Sequence, residues 1–85
     1  MASSHSGPTE QSVARQIAHE AALAVLDAAI ARQWRRMVEQ SEEFKRTGDS
    51  AAWARMIGHQ RAHKQFRAVR ARVVRRAAAQ GVRDE

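Results

Sequence analysis

Through the first half of the chain, Leu23, Leu26, Ile30, Trp34, Met37, Ser41 and Phe44 recur at steps of three and four and share one helical face. A second line, Val13, Ile17, Ala21, Ala24, Ala28 and Ala31, runs beside it. Between residues 21 and 31 the two lines merge, interrupted only by Asp27. A helix apolar over that much of its circumference needs contacts on more than one side. Farther on, Trp53, Met56 and Ile57 form one short patch. Ala62, Phe66, Val69 and Val73 form another on nearly the opposite face, after Gly58. One flat partner cannot cover both patches of a straight helix, so either Gly58 marks a bend or the second patch meets another chain. No heptad persists beyond a few turns, and no internal repeat is visible.

The punctuation agrees with two long helices. Thr9 can cap a helix, with Glu10 in its first turn where a carboxylate suits exposed N–H groups. Nothing breaks a helix from there to Lys45. Arg46-Thr47-Gly48-Asp49-Ser50 then offers cations for a last turn, a glycine for a left-handed cap, and Asp49 or Ser50 to start again. The spacing predicts a helix over 9–46, a turn at 47–49 and a helix over 50–80 closed by Gly81. Residues 1–8 read as a disordered tail and 83–85 as a C-terminal tail, leaving 9–82 as one helical hairpin. Each helix would have roughly 30–36 residues and a length of about 45–54 Å. The expected class is all-α, an antiparallel two-helix hairpin.

Composition changes this picture in one respect. The 85 residues include 18 Ala and only 18 larger apolar residues between Val13 and Val82, so high helicity comes with a thin core. Two helices alone make too little core to stand unaided. The expectation is a homodimer assembling as a four-helix bundle, with Trp34 and Trp53 packed between helices and Trp34 or Phe44 meeting the Trp53–Ile57 patch.

The charge is lopsided. Residues 1–49 hold six basic and seven acidic groups, for a net −1, whereas residues 50–85 hold nine basic and two acidic groups, for a net +7. From Ser50 to Arg83 there is no carboxylate side chain. On the first helix, Arg35 with Glu39, Glu42 with Arg46, and Arg36 with Glu39 stand at pairing distance. The second helix lacks such partners, and something must neutralise it. Arg61, Lys64, Arg67, Arg70, Arg72, Arg75 and Arg76 form the candidate site, because guanidinium forks suit phosphate. The first function expected is nucleic-acid binding through backbone electrostatics, as in an accessory factor of DNA maintenance or transcription. The alternative is a non-catalytic helical adaptor for an acidic protein, in which Phe66, Val69 and Val73 matter as much as the charges.

Other chemistries fit less well. No cysteine is present, which excludes disulfides and thiolate metal sites. His59 and His63 share one side of a helix, and His19 could approach across a hairpin, but Gln60 stands where a metalloprotease needs Glu. Polar surface histidines are the preferred reading, with no metal and no cofactor. Ala54 and Gly58 have helix-turn-helix spacing, yet His59 and Lys64 fall where apolar residues belong. The carboxylates sit on an exposed face, so no catalytic site is expected. No signal peptide is read at the N-terminus, the apolar window of residues 21–31 is too short for a bilayer, and the split apolar face of the second helix argues against a membrane surface. The cytoplasm is the expected location.

Overall fold

The structure, a computed structural model, describes residues 9–81. Helix α1 covers Glu10–Thr47 and helix α2 covers Ser50–Ala79, and the two pack antiparallel into a rod of 71 × 16 × 14 Å. The tails expected at 1–8 and 83–85 lie outside the described residues.

The ends form where the polar residues placed them. Thr9 has extended backbone, and its hydroxyl accepts from the Ser12 N–H at 3.0 Å. At the far end Gly48 adopts φ +71°, which non-glycine residues resist, and donates its N–H to the Phe44 carbonyl at 2.7 Å. Thr47 belongs to α1, one residue past the expected end: its hydroxyl donates to the Glu43 carbonyl at 2.8 Å and accepts from the Asp49 N–H at 3.1 Å. Asp49 then caps α2 by accepting from the Ala51 N–H at 2.9 Å. α2 stops at Ala79, one residue early, because the Gln80 N–H turns back to the Ala77 and Arg76 carbonyls before Gly81 at φ +81°.

The helices meet along a regular seam. Positions 12, 16, 19, 23, 26, 30, 33, 37, 40 and 44 of α1 are withdrawn from solvent, as are 52, 56, 59, 63, 66, 70, 73 and 77 of α2. Both series alternate steps of four and three, the repeat of a left-handed coiled coil. Apolar spacing alone misses it because Ser12, Gln16, His19, Gln33, Gln40, His59, His63 and Arg70 occupy seam positions. Several of these pair between helices. Gln33 Oε1 lies 2.8 Å from His59 Nδ1, and Arg70 Nε donates to Asp27 Oδ1 at 2.7 Å. Beside the seam, Arg55 Nε donates to Gln40 Oε1 at 2.8 Å. Such contacts fix register more than they stabilise.

Apolar packing is concentrated in few places. Ala52, beneath the turn, is 0% exposed, and Phe44 lies against Trp53 with ring centroids 5.3 Å apart. Phe44 therefore meets the first patch of α2, whereas Trp34 meets His63 at 5.4 Å and stays 52% exposed. The second patch, Ala62, Phe66, Val69 and Val73, is half-buried on the α1 side. α2 runs unbroken through Gly58, so neither a bend nor a second chain is needed to cover that patch. The two patches flank the seam from opposite sides, joining it at Met56 and at Phe66 and Val73, while Trp53 stays 48% exposed. The second apolar line of α1, from Val13 to Ala31, is left exposed throughout.

Candidate nucleic-acid interface

The seam of α2 determines where its cations point. Positions 61 and 75 lie directly opposite the seam, and 64 and 72 lie roughly 50° to either side on a heptad wheel. Arg61, Lys64, Arg72 and Arg75 therefore share the outer side of the hairpin, and all four are exposed. From Arg61 to Arg75 that side is about 21 Å long at 1.5 Å per residue. None of the four meets a carboxylate among the described residues.

The remaining three sequence candidates separate. Arg67 and Arg76 stand on opposite edges of the outer side, too far around to join one flat contact together. Arg70 is turned inward and held by Asp27. It is neutralised within the chain, contrary to the expectation that the whole cationic set of α2 lacks partners. Asp27, the residue that breaks the apolar stripe of α1, is the partner that α2 itself lacks.

At the open end of the hairpin, α1 adds residues that the linear pattern does not reveal. Arg15 and His19 line a cleft of about 480 Å³ with Arg72 and Arg76, over an apolar floor that includes Val69, Val73 and Ala77. His19 is 8% exposed, and its Nε2 finds no hydrogen-bond partner among the described residues. The signal for Arg15 was the antiparallel register. Asp27 opposite Arg70 and Phe44 opposite Trp53 place residues near 15 beside the end of α2, near Arg76 and Gln80.

The surface pairing of α1 also differs from expectation. Glu42 approaches Lys45 at 4.0 Å and Glu43 pairs with Arg46, while the predicted Arg35–Glu39, Arg36–Glu39 and Glu42–Arg46 pairs do not form. The first two place the cation ahead of the acid, the weaker orientation on a helix. Glu43 offers Arg46 the three-residue alternative.

His59 and His63 lie half-buried in the seam rather than on the surface, and His19 lies at the opposite end of the hairpin, beside Ala77. Among the described residues no three metal-ligating side chains come together. No helix among them is long and apolar enough to cross a membrane. The chain matches no family model, no curated protein and no solved structure.

Proposed function

We propose that this protein binds nucleic acid, acting as a homodimer in the cytoplasm and gripping the phosphate backbone through the outer side of α2. One observation carries the reading: Arg61, Lys64, Arg72 and Arg75 project from a single rigid helix with no carboxylate among the described residues to neutralise them. A straight helix holds the spacing of their backbone positions fixed, so binding has side chains to order but no backbone. Arg76 and Arg15 extend the cationic surface around the open end. Such contacts fix position on a duplex without reading its sequence. The acidic-protein alternative is less favoured, because Phe66, Val69 and Val73, on which it relies, are each half-buried within the hairpin.

Fluorescence anisotropy with labelled duplex DNA and single-stranded RNA over a salt series tests this. Four engaged phosphates give a slope of log affinity against log salt near −3.6 for duplex, from about −0.9 per phosphate. No binding at about 50 mM salt would sink the proposal and point to an acidic protein instead.

A further inference from the structure

The outer side of α1, opposite the seam, is unpartnered among the described residues. Ala14, Ile17, Ala21, Ala24, Ala28 and Ala31 follow one another there at alternating steps of three and four, and each is exposed. Ile17 is 60% exposed and the neighbouring Val25 69%. This is a second heptad line on the same helix, with no polar residue in it. One step beyond its ends stand Glu10 and Arg35, both exposed and both without a side-chain partner among the described residues.

We infer that a second copy of this chain covers that line, with the two α1 helices antiparallel. The charges select both occupant and direction. In an antiparallel pair whose facing residue numbers sum to 45, Glu10 meets the partner's Arg35 at each end. Ile17 then faces the partner's Ala28, and Ala21 the partner's Ala24, so large lies over small and small over small. A parallel pair would set Glu10 against Glu10 and Arg35 against Arg35. Beside the line, Val25 lies over the partner's Ala18. Glu20 approaches the partner's Asp27, a like-charge contact softened because Arg70 already neutralises Asp27. Alanine-lined faces let helix axes approach to about 8 Å, the short end of the usual range.

The resulting assembly is a layer with α2 on each outside and the two α1 helices between, rather than a square bundle. Its α2 axes are separated by three interaxial spacings, about 24–30 Å. The basic sides of α2 point away from each other. If α2 binds duplex as proposed above, on which this consequence rests, the dimer holds two duplexes at once.

Sedimentation equilibrium without nucleic acid, from about 1 to 500 μM, tests the pairing first. The expected result is a species of twice the 9.5 kDa chain mass. Ala24→Glu should weaken association at least tenfold with unchanged helix content, since Ala24 is exposed in the single chain. Glu10→Arg and Arg35→Glu should each weaken it, and the double variant should recover it. A single-chain mass across the range, wild-type association by Ala24→Glu, or a double variant no tighter than the singles would each overturn the pairing. Bead-bound duplex should then capture a second, labelled duplex through the wild type and not through Ala24→Glu. A dimer that binds one duplex and captures no second overturns the two-sided arrangement. A dimer that binds none refutes the nucleic-acid reading while the pairing stands.

Discussion

Arg70 and Asp27, 43 residues apart, join the two helices through a 2.7 Å contact from Nε to Oδ1. The link answers two questions at once: why one carboxylate interrupts the apolar stripe of α1, and why one cation of α2 is half-buried.

It also ranks the cations. Replacing Arg75 or Arg72 with Ala should lower the salt slope of duplex binding by about one unit and weaken affinity severalfold. Replacing Arg70 with Ala should change the slope by less than about 0.5, because its charge is already matched. Both side chains of the pair are more than a third exposed, so Asp27→Asn should cost at most about 1 kcal/mol in urea unfolding. A slope loss at Arg70 as large as at Arg75 would place the binding surface on the seam side.

His19 offers a test of the cleft. Its Nε2 is buried without a partner among the described residues, an arrangement that costs about 1–3 kcal/mol relative to a satisfied or apolar group. His19→Leu should therefore raise stability by about 1 kcal/mol, a gain of roughly 4–8 °C in Tm for a domain this size. Equal or lower stability would mean that a water or an ion meets the nitrogen in the cleft.

The packing itself predicts an inverted order of costs. Leu23 is 7% exposed, so Leu23→Ala should cost about 2–3 kcal/mol by urea unfolding, toward the low end for buried leucine because so small a rod relaxes easily. Trp34, the larger residue, is half-exposed, and Trp34→Ala should cost less than about 1.5 kcal/mol. A larger loss at Trp34 would show that something covers it in solution.

The two helices and their join were readable because local chemistry decides them: Thr9, Gly48 and Asp49 each satisfy backbone groups within four residues of themselves. The seam was harder to read. Periodicity sorts residues by polarity, and His59, Gln33 and Arg70 are polar residues that the neighbouring helix receives with matching groups. The reverse error befell Trp34, which is apolar and yet half-exposed in the single chain. For the candidate site, clustering of cations along α2 was visible in the sequence, while their division into outer, edge and seam-facing members required the register.

Gly48 and Gly58 should respond to alanine with opposite signs. Gly48 holds φ +71° with nothing within 4 Å of the place a methyl group would occupy, so an alanine there meets no clash and only the left-handed backbone opposes it. Gly48→Ala should cost about 1–2 kcal/mol. Gly58 also faces open space, but it lies within α2 with ordinary helical backbone. There alanine restricts the unfolded chain without strain, and Gly58→Ala should add about 0.5–1 kcal/mol. Paired urea titrations of the two variants read both signs. A destabilised Gly58→Ala would mean that α2 bends or is closely approached at that point in solution, and the straight seam past His59 would then have to be abandoned.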